Sequence, residues 1–322
     1  MGEADSLPTP NPDPSAGGDP SDPAVRLSTF QALSAGLPAS TVVRCTAQLN
    51  GKLYAVVEAS AGNGLYVLDS GSTEWHAVDI ALRTGEHFTS IVRVDFDLYA
   101  TAAHATTPQG STFKFDHTRG TWAKLAGAPD VQTWTVVKRN DEILLATLSA
   151  LYVSKDSGAT FARRGTQWAA PMDKPLRQLV AAKAQTRLFA VQEGTGGYGA
   201  LYYSDDAGET WQTNIVPAPV RGFAADTAYA FADVKGLGAV RSDNYGSTFK
   251  PMNMGVTAQN FVTLGKKVFA ATMNGLRLSE DGGGTWKDPA NGLPTTEVKS
   301  IHVAGSSMLA ATVQGVFVAE VR

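Results

Sequence analysis

An eight-residue motif that recurs four times constrains this sequence more than any other feature. The pattern is Ser-x-Asp-x-Gly-x-Thr followed by Trp or Phe, and one copy carries Asn in place of Asp. Recurrence of one short pattern indicates a chain built from copies of a single supersecondary unit. The four copies occupy residues 154–161, 204–211, 242–249 and 279–286.

The residue types of the motif predict a tight turn rather than a catalytic site. An Asp side chain can accept hydrogen bonds from nearby backbone N–H groups, and the Gly two residues later tolerates a positive φ. The Thr and the aromatic residue then begin the outgoing strand, where the ring can wedge between neighbouring sheets. We therefore expect Asp206 and Asp281 to stabilise turns.

The aromatic residues that end each copy set the length of the repeat. Two earlier segments, which lead to Trp75 and Trp122, lack the full motif but hold the same place in the repeat. The markers recur at intervals of 37 to 50 residues, close to the roughly 40–50 residues that four short strands with their turns need. This spacing predicts an all-β chain made of propeller blades. The complete set of markers is Trp75, Trp122, Phe161, Trp211, Phe249 and Trp286.

A seventh blade begins near the C-terminus but lacks its outer strand, because the chain stops at Arg322. The missing strand is present at the other end, where residues 30–38 resemble residues 286–294. We therefore predict a seven-bladed β-propeller over residues 26–322. In this fold residues 26–34 close blade seven, so that no large sheet edge is exposed.

The four motif copies resemble the Asp-box, or BNR, repeat of the sialidase-type propellers. The resemblance covers nearly all of residues 26–322. It implies the fold and says little about activity, because one fold hosts many functions. This superfamily includes sialidases, some endoglucanases, sortilin-type receptors, fucose-type lectins, photosystem II assembly factors and many bacterial surface lipoproteins.

The resemblance raises a carbohydrate-active enzyme as an alternative. The sialidase plan includes an Arg-Ile-Pro segment and a Tyr–Glu pair, but this sequence has no Arg-Ile-Pro and no evident paired Glu for any tyrosine. A glycosidase needs two carboxylates about 5–10 Å apart. The five histidines show no metal-ligand spacing, so neither a metal nor a cofactor is predicted. The candidate acids in loops of one rim are Asp130, Asp173, Glu193 and Glu297.

Residues 1–25 differ from the rest of the chain in composition. They carry five acidic residues, no base and six of the sixteen prolines. Such a segment buries too little apolar surface to offset the entropy of ordering, so we expect a disordered linker. The composition resembles the spacer of an exported bacterial lipoprotein, with Gly2 following a removed lipidated cysteine. This resemblance predicts an extracytoplasmic location and a lipid anchor in the full-length protein.

Charge and hydropathy exclude several classes of partner. The formal net charge is −3 and basic residues do not cluster among aromatics, so nucleic acid is not an expected partner. No apolar run is long enough to span a bilayer. The single cysteine, Cys45, excludes an internal disulfide and fits a small buried hydrophobe. We expect a monomer.

The candidate binding residues share one position of the repeat, near the start of the first strand of each blade. First strands converge on the central channel of a propeller, so we predict an electropositive ring at one mouth. Tyr198, in a glycine-rich loop of blade 4, is expected at the same rim. The cations of this ring are Arg44, Arg177, Arg221 and Lys299. The polar residues assigned to it in the other blades are Thr89, Gln132 and Gln259.

Two interpretations of this ring remain open. Each cation pairs with a local acid or carbonyl, or the cations together bind carboxylates or phosphates. We expect a non-enzymatic binding or scaffolding propeller of the cell envelope or exterior that recognises an anionic ligand, a protein segment or a glycan at the channel mouth. The alternative is a glycoside hydrolase or a lectin. A deep cleft with two close carboxylates favours the enzyme, and a shallow polar rim favours the scaffold.

Overall fold

The structure is a computed structural model, and the regular structure of its described part consists of β-strands. Within that part, no helix has the length and apolar character needed to cross a membrane. The predicted linker over residues 1–25 lies outside the described residues. The described residues are 26–39, 41–59, 62–148, 150–165, 176–182, 187–192, 194, 196, 198–213, 215–225, 229–289, 292–294 and 296–322.

The strands follow one another along the whole described chain. In chain order they are β1 (Gln31–Ala32), β2 (Val42–Leu49), β3 (Lys52–Ala59), β4 (Gly62–Leu68), β5 (Trp75–Ala77), β6 (Glu86–Val94), β7 (Asp97–His104), β8 (Gly110–Asp116), β9 (Thr121–Lys124), β10 (Thr133–Arg139), β11 (Glu142–Thr147), β12 (Leu151–Ser154), β13 (Ala162–Arg164), β14 (Leu176–Ala182), β15 (Arg187–Gln192), β16 (Leu201–Ser204), β17 (Val220–Ala225), β18 (Ala230–Val234), β19 (Gly238–Ser242), β20 (Lys250–Pro251), β21 (Ala258–Leu264), β22 (Lys267–Thr272), β23 (Gly275–Ser279), β24 (Val298–Ala304), β25 (Ser307–Thr312) and β26 (Gly315–Glu320).

These strands form seven antiparallel sheets, which are the blades of a propeller. The first strand of each blade contacts the first strand of the next, and β2 contacts β24, so the ring is closed. In blades 4 and 6 a single bridge, Tyr203 with Gln212 and Leu278 with Lys287, stands in the place of the outer strand. The prediction of a seven-bladed propeller is confirmed. Blades 1 to 7 consist of β2–β5, β6–β9, β10–β13, β14–β16, β17–β20, β21–β23, and β24–β26 with β1.

The N-terminal segment closes blade 7, as predicted. Strand β1 pairs antiparallel with β26, and Leu27 bridges to Val321 beyond the end of that ladder. The Leu33 N–H continues the pairing by donating to the Val316 carbonyl at 2.8 Å. Phe30 is buried in the core between blades 6 and 7. The two ends of the chain therefore share one sheet.

The second strand of each blade is a continuous buried run, for example residues 98–103, 268–272 and 308–312. Neighbouring blades cover both faces of such a strand, so apolar or small residues follow one another without alternation. Aromatic rings fill the space between blades, as where Phe231 and Phe261 lie 6.1 Å apart between ring centroids. The core is thus distributed between the blades rather than gathered at one centre.

Each motif copy forms the same hydrogen-bonded turn after the third strand of its blade. In blade 4, Asp206 Oδ1 accepts from Ser204 Oγ and from the Thr210 N–H, both at 2.8 Å. Asp206 Oδ2 accepts from Thr210 Oγ1 at 2.5 Å. Blade 5 reproduces the turn with Asn244, whose Oδ1 accepts the Thr248 N–H at 2.8 Å and whose Nδ2 donates to Thr248 Oγ1 at 2.9 Å. The predicted role of these side chains in turns matches this geometry.

The turn places two successive residues in the left-handed region, whereas the motif predicts a positive φ only for its Gly. In blade 4, Ala207 has φ 64° and Gly208 has φ 91°. The Gly208 N–H donates to Ser204 Oγ at 2.7 Å, which satisfies a buried amide. In blade 6, the Thr285 N–H and the Ser279 and Thr285 hydroxyls lower the pKa of Asp281 to about 2.

Replacing Asp206 by alanine is expected to lower the free energy of unfolding by about 1–2 kcal/mol, because the Thr210 N–H and two hydroxyls lose their acceptor. Asp206→Asn is the matched control, since Asn244 already builds the same turn in blade 5. Urea unfolding of both variants measures the difference. Equal stability of Asp206→Ala and wild type would show that the turn does not depend on this side chain.

Candidate functional site

Every first strand contains a register shift close to its start. In six blades a buried residue precedes the shift, and the residue after it is left out of the regular pairing. In blade 5 the shift falls one residue later, so that Arg221, which follows the buried Val220, pairs with Asp233 and Gly222 is left out of the pairing. The residues that follow the buried one are Arg44, Thr89, Trp134, Arg177, Arg221, Gln259 and Lys299.

This alignment corrects one sequence-based assignment. Gln132 does not hold the equivalent position in blade 3, because Trp134 follows the buried Thr133 there. The Gln132 side chain instead donates from Nε2 to the carbonyls of His104 at 2.6 Å and Thr107 at 2.5 Å. Gln132 therefore ties blade 3 to a loop of blade 2.

The seven positions lie at one rim of the propeller, where first strands begin and turns join second to third strands. Hydrogen bonds between blades hold this rim together. Thr89 Oγ1 donates to the Thr133 carbonyl at 2.6 Å, and Ser300 Oγ donates to the Val43 carbonyl at 2.7 Å. The Thr89 side chain is thus engaged in the wall between blades 2 and 3 and buried.

Two of the predicted cations do not contribute to the ring that the structure describes. Arg44 Nη1 lies 2.9 Å from Glu58 Oε2, so in blade 1 the cation pairs with a local acid. The side chain of Arg177 lies outside the described residues. The electropositive part of the rim that the structure describes is therefore the sector of blades 5 to 7.

Arg221 is the centre of this sector. Its guanidinium carbon lies 4.4 Å from the centroid of the Tyr198 ring, and Nη1 donates to Gln259 Oε1 at 3.1 Å. Nη2 donates to the Gly196 carbonyl. Nε is buried and has no acceptor in the described structure. Stacking and two hydrogen bonds hold the guanidinium plane in one orientation, which is the arrangement that suits recognition of carboxylates.

Tyr198 also contacts a buried acid that the sequence analysis did not single out. Its hydroxyl donates to Asp233 Oδ2 at 2.8 Å, and the Ala258 N–H donates to Asp233 Oδ1 at 3.4 Å. Burial raises the pKa of Asp233, while the Tyr198 hydroxyl, the Ala258 N–H and the charge of Arg221 act against that rise. Burial and the bond to Asp233 raise the pKa of Tyr198. The sequence signal that could have identified Asp233 is the presence of an acidic residue inside the apolar strand β18.

Gln259 links Arg221 to the next blade. Its Nε2 lies 3.2 Å from Met273 Sδ and 3.4 Å from Glu297 Oε1. In the part of the chain that the structure describes, Lys299 has no carboxylate within ion-pair distance. Arg221, Gln259 and Lys299 therefore form an arc of three equivalent positions on consecutive blades, here called the inner arc.

The two candidate catalytic acids that the structure describes, Asp130 and Glu297, do not form one site. Asp130 forms ion pairs with Arg83 and Lys124. These pairs lower the pKa of the Asp130 carboxyl to about 2, and Arg83 has the larger effect. Glu297 lies in the sector of the inner arc, several blades away. Asp173 and Glu193 fall outside the described residues. Among the residues that are described, no group of three or more His, Cys, Asp or Glu side chains is placed to hold a metal ion.

Comparison with solved structures supports the fold. No protein-family model matches the sequence, and no curated protein matches it. YCF48 bound to D1 peptide is similar over 93% of this chain and 97% of that chain, with a TM-score of 0.67 and 15% identity. The extracellular domain of BT4673 from B. thetaiotaomicron is similar over 90% of this chain and 40% of that chain, with a TM-score of 0.67 and 13% identity.

A third similar structure is AFV00434, an ancestral GH74 enzyme. It matches 92% of this chain and 51% of that chain, with a TM-score of 0.63 and 13% identity. At these identities the likeness concerns the fold. The chain is a seven-bladed β-propeller whose described rim carries a partly cationic sector on blades 5 to 7.

Proposed function

We propose that this protein is a non-enzymatic binding or scaffolding propeller that captures an anionic ligand or an acidic segment of a partner at the rim of blades 5 to 7. The observation that carries the proposal is the fixed guanidinium of Arg221, stacked on Tyr198 at 4.4 Å and followed round the inner arc by Lys299. Arg221 and Lys299 lie on either side of Gln259 in this arc, and like charges on one rim repel each other. An anionic partner relieves that repulsion.

The similar structures support a partner that is a protein segment. YCF48 was solved bound to D1 peptide, and BT4673 contributes an extracellular domain. We further propose an extracytoplasmic location with a lipid anchor, in line with the composition of residues 1–25. The four turn motifs support membership of the Asp-box superfamily.

A carbohydrate-active enzyme is the second candidate function, and Asp233 favours it. A carboxyl whose pKa is raised by burial and that contacts a tyrosine of the rim is the kind of group found at catalytic sites. The GH74 enzyme among the similar structures agrees with this candidate. Hydrolysis of glycosides by the wild type, abolished in Asp233→Asn, would establish the enzyme. A glycan that binds without being cleaved would indicate a lectin.

The binding proposal predicts an anion-dependent rise in stability. Citrate at ten to a hundred times its Kd should add about 1–3 kcal/mol to the free energy of unfolding, and low salt should strengthen the effect. The double variant Arg221→Gln with Lys299→Gln should lose this response. Thermal unfolding with citrate, sulfate and sialic acid measures it in both proteins.

The matched control removes two charges elsewhere, as Arg119→Gln with Lys250→Gln. Both of these side chains are more than three-quarters exposed and lie outside the inner arc. This control should keep the full response to citrate. A wild type that does not respond to any of the three anions, together with a destabilised Arg221/Lys299 variant, would mean that the cations only pair within the protein.

A further inference from the structure

Exposed apolar side chains are concentrated on the same sector of the rim. Among the described residues, five large hydrophobic side chains are exposed. Three of them occupy the turns between second and third strands of blades 5, 6 and 7, and are here called the tip arc. They are Leu237, Met273 and Val313, which are 54%, 53% and 51% exposed. Single exposed hydrophobes are ordinary, but three at equivalent turns of consecutive blades form a patch.

The turns of blades 6 and 7 present these side chains rigidly. Thr272 Oγ1 donates to the Gly275 carbonyl at 2.7 Å and accepts from the Asn274 N–H at 3.1 Å. Thr312 makes the same two bonds in blade 7, at 3.1 and 3.0 Å. A turn locked in this way loses little freedom when a partner binds, which favours affinity.

The tip arc and the inner arc adjoin each other. Strand pairing places Thr272 opposite Ala258 and Thr312 opposite Val298, so each tip lies beside the inner-arc residue of its own blade. The Met273 sulfur, 3.2 Å from Gln259 Nε2, connects the two arcs directly. Apolar side chains thus form an outer row and polar or cationic side chains an inner row.

The charge of this sector selects the partner. Arg221, Lys299 and the exposed Lys235 are positive. The acids of the sector are Glu297, which contacts Gln259, and the buried Asp233, which interacts with the charge of Arg221. Packed sheets lie about 10 Å apart, which is the rise of about three residues of extended chain. An extended segment that follows both rows therefore meets a new tip roughly every third residue.

We propose that blades 5 to 7 bind an extended acidic segment of a partner protein that carries an apolar side chain at about every third residue. This inference rests on the proposed function and adds the apolar requirement to it. The apolar side chains contact Leu237, Met273 and Val313, and the carboxylates lie over Arg221 and Lys299. A second copy of this chain is a poorer occupant, because it would bring the same cations to the interface.

Two synthetic peptides of about twelve residues test the inference. One has Leu at every third position among Glu residues, and the other has Ser in place of each Leu. The wild type should bind the Leu peptide at least about tenfold more tightly than the Ser peptide in fluorescence anisotropy. The variant Leu237→Ser with Met273→Ser and Val313→Ser should bind both peptides equally while keeping its thermal response to citrate.

Phe96→Ser is the matched control, since Phe96 is 66% exposed and lies in a turn of blade 2. It should bind both peptides like the wild type. Equal affinity of the wild type for the two peptides, or no measurable affinity for the Leu peptide, overturns the inference even where citrate still stabilises the protein. A wild type that is not stabilised by citrate but still prefers the Leu peptide would overturn the proposed function only. If the wild type sediments as a dimer and the variant Leu237→Ser with Met273→Ser and Val313→Ser as a monomer, the patch binds a second copy of the chain. That result also overturns the inference.

Discussion

Removal of residues 26–36 is expected to destroy the cooperative stability of the propeller. The truncation takes away buried Phe30 and uncovers the outer edge of β26. It also removes the Leu33 carbonyl, which accepts the Trp75 Nε1–H at 3.0 Å, so a buried indole in blade 1 loses its partner. Together these losses should lower the free energy of unfolding by at least about 5 kcal/mol. Thermal unfolding and size-exclusion chromatography measure the loss and the aggregation that an exposed edge promotes.

The control for this truncation is a chain that begins at Arg26. It keeps the bridge from Leu27 to Val321 and every contact of β1 with β26, so its melting temperature should equal that of the complete chain. A chain that begins at Leu37 and remains monomeric and equally stable would contradict closure by the N-terminal segment. The comparison isolates the closing strand, because the two shortened chains differ only in residues 26–36.

His302 is expected to make stability depend on pH between about 6.5 and 4. Its Nε2 contacts the Val43 carbonyl at 2.9 Å across the junction of blades 7 and 1, and burial lowers the pKa of the ring to about 4. Below the unfolded pKa of about 6.5, the unfolded chain takes up a proton that the folded chain refuses. Stability should therefore be complete above that pH and fall by about 3 kcal/mol as the pH decreases to 4.

The variant His302→Gln should remove this slope, and urea unfolding at several pH values measures it. Burial also lowers the pKa of His87. His87→Gln is therefore introduced both into the wild type and into His302→Gln, so that the two proteins differ only at His302. Asp281 and Glu142, with pKa values of about 2, act in a separate window. Their contribution is present above about pH 4 and is lost as the pH falls towards 2. An unchanged slope between pH 6.5 and 4 in His302→Gln would show that His302 does not cause it.

Local chemistry made the turns and the number of blades predictable. The motif Asp206 to Trp211 needs only neighbours in sequence for its hydrogen bonds, and the Trp211 Nε1–H closes on the Gly208 carbonyl at 3.2 Å. The closing strand was predictable because residues 30–38 carry the same sequence pattern as residues 286–294, which follow the third strand of blade 6. Each of these features repeats within the chain, so a copy with a clear pattern allows the others to be recognised.

The rim was less predictable, because it depends on register and on contacts between blades. A shift of two residues separates Gln132 from Trp134, and spacing alone did not reveal it. Arg44 pairs with Glu58, an acid of its own blade, whereas Arg221 stacks on Tyr198 from the preceding blade. Which cation meets an acid is decided by strands that are distant in sequence.

The sequence by itself therefore determined the repeat, the seven blades, the turn chemistry and the strand that closes the ring, since all of these follow from local hydrogen bonding and from the alternation of short apolar strands. Only the tertiary structure decided that Asp233 is buried against Tyr198 and that Leu237, Met273 and Val313 stand beside the inner arc. The physical reason is that the ring brings together side chains from four blades, and no single repeat contains the information about its neighbours.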